Sequence, residues 1–515
     1  MNQRSRTENS ILNIATGLGG YVINTLLGLV CRMVFTRTLA EDYLGVSGLF
    51  TNILSMLSLA ELGIGTAITY ALYKPLAVND QAKIASLVKF YGQCYKIIGV
   101  VVGIVGLCIM PFLNLIIREQ PNISESLYLI YGLFLFNTAS TYFFSYRSSL
   151  LMAAQQNYLV TGLNYVVTIA QSAIQMVLLL LTHNYLMYLL VQTIGGLIYN
   201  VLISKIAVKR FPFIADKNIA PLEEKERKGL ISNVRALSIW KISGLLVNQT
   251  DNIIITYFNG LATTGFASNY TLLSGTLNTL LNQVFNGIGA SVGNHNALET
   301  KEHKLELFSA INLANFWLFG WATIGIFSVS SDLVALLFGE KYVLEQSIPF
   351  VIALNFYMVG MQNAVWTYGN TMGLFRQGRY LLFVTAAINL VCSIWLGKLW
   401  GLFGILIATA ISRALTNIWY DPYKVFKYGF QEPPIRYFKK YLEFAIILII
   451  CGAICYFLCS LCRFSLIVNV IVKCIICSII PNGLFWLLFH KRPEFVYLNN
   501  TAKRVMNRIF RRTTS

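Results

Sequence analysis

Leu39–Ser47 reads LAEDYLGVS, and Leu261–Asn269, which begins 222 residues later, reads LATTGFASN. Two further pairs lie at nearly the same offset: LAELGIGTAIT (59–69) with FNGIGASVG (285–293), and QQNYL (155–159) with QGRYL (377–381). Each pair is weak alone, but three pairs at nearly one spacing indicate an internal repeat. The sequence therefore predicts that the chain is built from two corresponding halves.

The composition is typical of a membrane protein. Of the 515 residues, 56% are hydrophobic and 12% are charged, and the mean hydropathy is +0.61. A soluble chain of this length would need far more charge to cover its surface. Apolar runs of about 20 residues, each long enough to cross a bilayer as a helix, recur along the whole chain. We expect an all-α polytopic membrane protein.

Fourteen membrane-spanning helices are predicted from these runs. They lie near residues 11–35, 43–72, 88–117, 125–146, 158–181, 185–206, 230–257, 262–290, 306–330, 346–371, 380–398, 401–420, 441–461 and 466–489. The repeat pairs spans one to six with spans seven to twelve. Because six is an even number of crossings, the two halves enter from the same side, which makes a parallel repeat about an axis along the membrane normal.

Domain limits follow from this repeat. We predict a six-helix bundle, a cytoplasmic linker, a second six-helix bundle, two extra helices and a basic tail, at 1–206, 207–229, 230–427, 428–489 and 490–515. Transporters built from parallel halves place their pathway between the halves and rock them to alternate access. We expect a hydrated central cavity here.

The net charge of +18 is distributed unevenly between the loops. With the N-terminus in the cytoplasm, the outer side receives only Arg37, Arg118, Lys341, Lys398 and Arg463, and the inner loops and tail receive most other Lys and Arg residues. This asymmetry is the positive-inside pattern. It predicts cytoplasmic termini, and it assigns the basic tail KRVMNRIFRR to the membrane surface and not to nucleic acid.

Residues with mostly amide and hydroxyl side chains, interspersed with glycines, recur at helical spacing within four of the spans. They are Asn13, Thr16, Gly20 and Asn24 in span one; Asn164, Thr168, Gln171 and Gln175 in span five; Lys241, Gly244, Asn248 and Asn252 in span seven; and Thr271, Gly275, Asn278, Asn282 and Asn286 in span eight. Any single residue of this kind is explained by hydrogen bonding between helices. Four such stripes together favour the lining of a cavity, and we select Asn248, Asn252, Asn278 and Asn282 as substrate-binding candidates.

Charged residues within the spans are costly and therefore informative. They are Arg32, Lys96, Arg235, Lys241, Asp251, Arg413 and Lys473. Most of them are basic, which suits an anionic substrate such as a diphosphate. Arg32, Lys96 and Arg235 are binding candidates that lie close enough to span ends to reach the interface instead. Lys241 is the deepest basic candidate, and Asp251 is a candidate for coupling.

The repeated Gly-Ile-Gly falls near the predicted cytoplasmic ends of spans two and eight. Glycine there allows a helix to bend or to approach a neighbour closely, so Gly63 and Gly287 are gating candidates. Glu61, beside the first element, is either an interfacial acid paired with a nearby Lys or Arg or a further gating residue.

Several chemistries find no support in the sequence. There is no GxxxxGK[ST] motif, and the four histidines lack the spacing of metal ligands. Cys451, Cys455, Cys459 and Cys462 share a helix face near Cys474 and Cys477, but thiols inside a bilayer usually pack as small apolar groups. We therefore expect no catalytic residue, no bound metal and no cofactor.

Three stretches of the sequence resemble the Wzx-type polysaccharide flippases of the MOP exporter superfamily. The resemblance is densest in TRTLAEDYLGVSGLFTNILSMLSLAELGIGTAI, in KISGLLVNQTDNIIITYFNGLATTGFASNYTLL and in FNGIGASVGN. It implies a bacterial inner-membrane carrier with two six-helix bundles that moves undecaprenyl-diphosphate-linked oligosaccharide units outward. It also implies involvement in lipopolysaccharide, capsule or exopolysaccharide synthesis, next to glycosyltransferases and a polymerase.

Three other functions stay open. A flippase for the peptidoglycan lipid precursor would have a similar sequence. A cation-coupled multidrug antiporter of the same superfamily would favour a cavity rich in embedded acids, and among the spans of the repeat only Asp251 qualifies. A membrane enzyme such as a glycan polymerase or a polyprenyl-dependent glycosyltransferase would be expected to carry a large outer loop with catalytic acids, whereas the predicted outer loops are short.

Overall fold

The structure is a computed structural model that describes most of the chain. The described residues are 6–58, 71–73, 75–76, 78–117, 121–154, 156–216, 218–298, 300–372, 374, 378 and 380–500. At 6–18, 22, 225, 232–249 and 283–298 the description covers the backbone alone.

Every regular element in the described part is helical. The helices are α1 (Arg6–Thr38), α2 (Glu41–Leu57), α3 (Gln81–Ile109), α4 (Leu113–Ile116), α5 (Leu127–Thr141), α6 (Ser148–Ala153), α7 (Asn157–Thr182), α8 (Tyr185–Arg210), α9 (Glu224–Leu298), α10 (Lys301–Phe338), α11 (Ser347–Gly360), α12 (Asn363–Thr371), α13 (Leu381–Ala414), α14 (Asn417–Lys424), α15 (Ile435–Ser460) and α16 (Leu466–Phe489). Short 3₁₀ turns occur at Met110–Phe112, Ser145–Arg147, Pro212–Ala215 and Glu340–Tyr342, and a π-helical turn continues α14 through Val425–Phe430.

Two long helices are divided by a glycine with positive φ. Gly260 (φ 83°, ψ 167°) interrupts α9, and Gly401 (φ 56°, ψ −134°) interrupts α13. Glycine adopts such backbone angles without the steric cost that a Cβ would impose. The two interruptions fall between predicted spans seven and eight and between spans eleven and twelve, so each long helix holds two of the predicted spans.

Ten helical stretches in the described part are long and apolar enough to cross a membrane. One of them, Leu381–Phe430, contains the Gly401 break, so the ten stretches hold eleven of the fourteen predicted spans. The other three lie on α2 and α9. The predicted all-α polytopic fold is confirmed.

The repeat is visible in the helix boundaries. The break between α1 and α2 follows Thr38, and the break within α9 falls at Gly260, 222 residues later. QQNYL and QGRYL both mark helix starts, at Asn157 and Leu381.

Each half also anchors its second span in the same way. The Tyr43 hydroxyl accepts a hydrogen bond from the Ser124 amide at 3.1 Å, and the Tyr270 hydroxyl accepts one from the Leu344 amide at 3.0 Å. In each half a tyrosine thus ties the second span to the connection between the third and fourth spans, although the two tyrosines do not occupy corresponding positions of the repeat.

Some predicted boundaries were too short. Helix α10 continues to Phe338, beyond the predicted end at residue 330, and the last helix of the repeat continues to Phe430, beyond residue 420. Helix α9 starts at Glu224, so part of the predicted linker is helical. The start of α9 and the end of the last repeat helix are polar or only partly apolar, and a hydropathy pattern does not register them. Residues 331–338 of α10 (SDLVALLF) are mostly apolar, and there the predicted span ended too early, just before Asp332.

The chain divides into two compact units, 1–265 and 266–515. In the first unit, α7 packs against both α1 and α8, and α5 packs against α8. In the second, α10 packs against α11, α15 and α16. The division at 265/266 does not coincide with the predicted linker at 207–229, and the predicted domain limits remain predictions.

The connection after α8 lies against the first unit and is not a loose tether. The Ser86 hydroxyl donates to the Ala220 carbonyl at 2.7 Å, and the Lys89 ammonium donates to the Ile219 carbonyl at 2.7 Å. Lys83 forms an ion pair with Glu226. Three side chains of α3 therefore hold this segment in place.

The two helices outside the repeat share a core with α10. Phe316 of α10 stacks on Phe444 of α15, with ring centroids 4.3 Å apart, and lies next to Phe485 and Phe489 of α16. Cys451, Cys455, Cys459 and Cys477 are buried in the same cluster.

Candidate functional site

The polar stripe of span eight lies on α9 after the Gly260 break. Thr271, Gly275 and Thr279, each four residues apart, are exposed, and Asn278 and Asn282 are half-buried beside them. Residues at this spacing share one helix face. Span eight therefore presents a polar face, and Asn278 and Asn282 lie at the edge of that face.

The two asparagines of this stripe belong to a chain of amide hydrogen bonds. Asn363 Nδ2 donates to Asn282 Oδ1 at 2.7 Å, and Asn282 Nδ2 donates to Asn278 Oδ1 at 3.1 Å. Asn363 is the first residue of α12. The chain orients the predicted binding amides and also ties α9 to α12.

The outward face of α3 provides a contrast. Ile97, Val100 and Ile104 are exposed, as expected for side chains in contact with lipid. Lys96 is also exposed and lies four residues before Val100, on the same face. The structure thus places Lys96 among lipid-type side chains, where its long stem can extend toward an interface.

Three other predicted residues of the first unit are partly enclosed. Arg32 is half-buried in α1. Asp251 and Asn252 are half-buried in α9 before the Gly260 break. Across that break, the hydroxyls of Thr256 and Thr264 are 2.8 Å apart, which joins the ends of spans seven and eight.

Several predicted site residues fall outside the described side chains. Lys241, Arg235, Asn248 and Gly287 have helical backbone within α9, and nothing further is described for them. Glu61 and Gly63 lie wholly outside the described residues.

Two residues of the span-five stripe, Gln171 and Gln175, form hydrogen bonds within the first unit. Gln171 Nε2 donates to Gln175 Oε1 at 3.4 Å, and Gln175 Nε2 donates to the Tyr188 carbonyl at 3.1 Å. A Cβ on Gly195 would lie 2.4 Å from Gln171 Oε1, so α8 approaches α7 closely at this point. These two glutamines join α7 to α8.

A buried polar network of the second unit was missed by the sequence reasoning. Asp421 is 3% exposed; it accepts hydrogen bonds from Trp366 Nε1 at 3.1 Å and Asn417 Nδ2 at 3.2 Å, and it pairs with Lys424 at 2.7 Å. Thr385 extends the network by donating to Asn417 Oδ1 at 3.0 Å. The available signal was the Asn417–Asp421–Lys424 spacing, which puts all three on one helix face.

A second missed group is an ion pair within the apolar helices. Lys473 of α16 pairs with Asp332 of α10 at 2.6 Å, and their side chains are 16% and 19% exposed. Lys473 was noted as an embedded charge, but Asp332 lies just beyond the predicted end of span nine. The pair attaches an extra helix to the repeat.

The cysteines pack as predicted for small apolar groups. Cys459 and Cys477 have their sulfurs 4.0 Å apart in the core shared by α15 and α16. Among the described residues, no group of His, Cys, Asp or Glu is arranged to hold a metal ion.

The chain was compared with known proteins. No model of a known protein family matches it, and no curated protein sequence matches it significantly. Solved structures do match it. A structure described as lipid II flippase MurJ in an inward closed conformation has a TM-score of 0.66 at 12% identity, over 93% of this chain and 99% of that one.

Two further matches are transporters. An inward-facing multidrug resistance MATE family transporter of the MOP superfamily has a TM-score of 0.56 at 13% identity, over 76% of this chain and 92% of that one. A MOP superfamily transporter from Pyrococcus furiosus has a TM-score of 0.51 at 12% identity, over 83% and 97%. Identities this low show shared architecture alone. The chain is a multi-pass membrane protein with the fold of the MOP superfamily transporters.

Proposed function

We propose that this protein moves undecaprenyl-diphosphate-linked oligosaccharide units across the bacterial plasma membrane, from the cytoplasmic to the outer leaflet. It acts by alternating access, with both termini in the cytoplasm, and it performs no covalent chemistry. Glycosyltransferases supply its substrate, and a polysaccharide polymerase consumes it.

The polar face of α9 supports this proposal most directly. A lipid-linked glycan carries sugar hydroxyls that cannot cross hydrocarbon without hydrogen-bonding partners. Exposed Thr271 and Thr279, with the oriented amides of Asn278 and Asn282, supply such partners within a membrane helix. Lys241 of the preceding span supplies a positive charge for the diphosphate.

The distribution of acids argues against a cation-coupled drug antiporter. Asp421, a buried acid of the second unit, is neutralised by Lys424 at 2.7 Å and accepts two further hydrogen bonds. A carboxylate that is already paired and hydrogen-bonded in this way is a poor binding site for a transported cation.

The proposal is tested in a bacterium whose own gene for this protein is deleted and replaced by variants. Lys241→Ala should abolish surface glycan at normal protein level, and Lys241→Arg should retain part of it, because the positive charge binds the diphosphate. Lys228→Ala is the matched control, since the Lys228 side chain is 72% exposed and its ion pair within the described residues is with Glu224. Wild-type glycan in Lys241→Ala would contradict the assigned role.

A lipid-linked peptidoglycan precursor is the second candidate substrate. The match to a lipid II flippase over nearly the whole chain favours it. The two substrates share a polyprenyl diphosphate and differ in the glycan, so a competition between them in one transport assay separates the two functions.

A further inference from the structure

Helix α12 has one buried face and one unburied face. Of its nine residues, Ala364, Val365, Tyr368 and Gly369 are buried. The other five are half-buried or exposed, and at helical spacing they share the opposite side of the helix. These five residues are Asn363, Trp366, Thr367, Asn370 and Thr371. The unburied face of α12 therefore consists of amides and hydroxyls around one indole.

The indole on this face is held in one orientation. Trp366 Nε1 donates to Asp421 Oδ2 at 3.1 Å. Asp421 is 3% exposed, and it is itself fixed by the ion pair with Lys424 at 2.7 Å and by the hydrogen bond from Asn417 Nδ2 at 3.2 Å. If the indole turned away, the buried carboxylate would lose a hydrogen bond, which is costly. The buried network therefore anchors one edge of the ring.

Hydrogen-bonding side chains flank the indole. Asn370 is exposed and lies four residues after Trp366, so the two side chains are neighbours on the helix. The Thr367 hydroxyl donates to the Asn363 carbonyl at 2.8 Å, which leaves the hydroxyl oxygen as an acceptor. The Asn370 amide offers two donors and an acceptor. Among the described residues, no other aromatic ring packs on the Trp366 indole.

The unburied face of α12 continues the polar face of span eight. Asn363 Nδ2 donates to Asn282 Oδ1 at 2.7 Å, and Asn282 lies three residues after exposed Thr279. Trp366 is one helical turn beyond Asn363. All of these residues belong to the second unit. The indole thus lies next to the amides that the proposed function assigns to the substrate.

An oriented indole with amides and hydroxyls beside it suits a sugar ring. The C–H hydrogens on the face of a pyranose ring carry a small positive charge, and they pack well on the negative face of an aromatic ring. The hydroxyls at the edge of the sugar require donors and acceptors, which Asn370 and Thr367 supply. A polyprenyl chain would leave these polar groups unused. A diphosphate would need a free cation, whereas Lys424 is paired with Asp421.

We propose that Trp366 is the platform on which one sugar ring of the transported glycan stacks. Asn370 and Thr367 exchange hydrogen bonds with the hydroxyls of that sugar, and Asp421 is a positioning residue for the indole. This inference rests on the proposed function, because it assigns the glycan part of the proposed substrate to α12.

A comparison of two lipids tests the platform. Binding to the full-length protein in lipid nanodiscs is measured for undecaprenyl diphosphate and for the same lipid with a linked N-acetylglucosamine disaccharide. Wild type should bind the glycosylated lipid about tenfold more tightly. Trp366→Leu should abolish this preference and leave the affinity for the bare lipid unchanged, because the platform contacts only the glycan. Trp366→Phe retains a ring and should keep most of the preference.

Trp419→Leu is the matched control. Trp419 is also a tryptophan of the second unit, it is 47% exposed, and its indole N–H donates to the Leu415 carbonyl at 2.7 Å. It lies outside α12, so its replacement should leave the tenfold preference intact.

The positioning role of Asp421 is tested in the same assay. Asp421→Leu removes the acceptor for the indole and should weaken the preference, whereas Asp421→Asn keeps an acceptor oxygen and should retain most of it. Full preference in Asp421→Leu would contradict the positioning role.

Two different failures are distinguishable. Equal binding of the two lipids by wild type, or a preference that survives Trp366→Leu, would overturn the platform and leave the proposed function standing. Failure of wild type to bind either lipid would contradict the proposed function, and this inference with it.

Discussion

At the scale of single residues, Gly45 lies at a close crossing of two helices. A Cβ at this position of α2 would lie 2.2 Å from the backbone carbonyl oxygen of Leu261, just after the Gly260 break. A Cβ on Gly265 would lie 3.1 Å from the Gly45 amide nitrogen, so both sides of the crossing are close. The Leu261 backbone cannot move away from an added Cβ as a flexible side chain could.

Gly45→Ala should therefore force α2 and α9 apart. We expect a loss of about 1–3 kcal/mol, the usual cost of overpacking, seen as a lower temperature at which the detergent-solubilised protein loses its monodisperse peak. Gly48→Ala is the matched control, because a Cβ there meets nothing within 4 Å. Equal effects of the two substitutions would show that the crossing tolerates a side chain.

Sequence reasoning at this scale succeeded for the amides and failed for the acids. Asn278 and Asn282 were identified from helical spacing, and they do lie on one face and in one hydrogen-bond chain. Asp332 and Asp421 were missed because each lies one or two residues beyond a predicted span end. Lys473 is far in the sequence from its partner Asp332, and Lys424 lies one helical turn after its partner Asp421. Only the folded structure shows that these charges are compensated.

At the scale of helices, α16 is attached to the repeat by one ion pair and an aromatic core. The Lys473–Asp332 pair is largely withdrawn from solvent. Such a pair stabilises the fold little more than two apolar side chains in its place would. Removal of one partner, however, leaves a buried charge without compensation.

Lys473→Met should destabilise the protein by about 3–5 kcal/mol, because it leaves Asp332 charged among apolar helices. The double variant Lys473→Met with Asp332→Leu should recover much of the loss, measured by thermal unfolding in detergent. Lys228→Met breaks a pair whose side chains are 72% and 69% exposed and should change stability little. A double variant as unstable as the single one would show that the pair itself stabilises α16.

The helical fold was predictable for a physical reason. A membrane-spanning helix needs about 20 apolar residues, and this requirement does not depend on how the helices pack against one another. The helix interruptions at Gly260 and Gly401 fall where the sequence analysis separates one predicted span from the next. The polar start of α9 was not predictable from hydropathy, because a helix that extends beyond a bilayer leaves no hydropathy signal.

At the scale of the whole molecule, the uneven charge predicts the orientation in the membrane. A reporter enzyme that is active only outside the cytoplasm should be silent when fused after Lys217 and active when fused after Gly260, because Lys and Arg concentrate on the inner side. Gly260 lies at the break that separates spans seven and eight. The reverse pattern of activity would invert the topology.

The central claim is that this chain carries a lipid-linked glycan across a bilayer. The direct measurement uses proteoliposomes that contain a fluorescent undecaprenyl-diphosphate-linked oligosaccharide and a membrane-impermeant reductant that bleaches only outward-facing label. Wild-type protein should make nearly all the label accessible, whereas Lys241→Ala and protein-free vesicles should expose only the outer-leaflet share. Identical bleaching in vesicles with and without wild-type protein, in the presence of either an imposed ion gradient or a membrane potential, would contradict the proposed function.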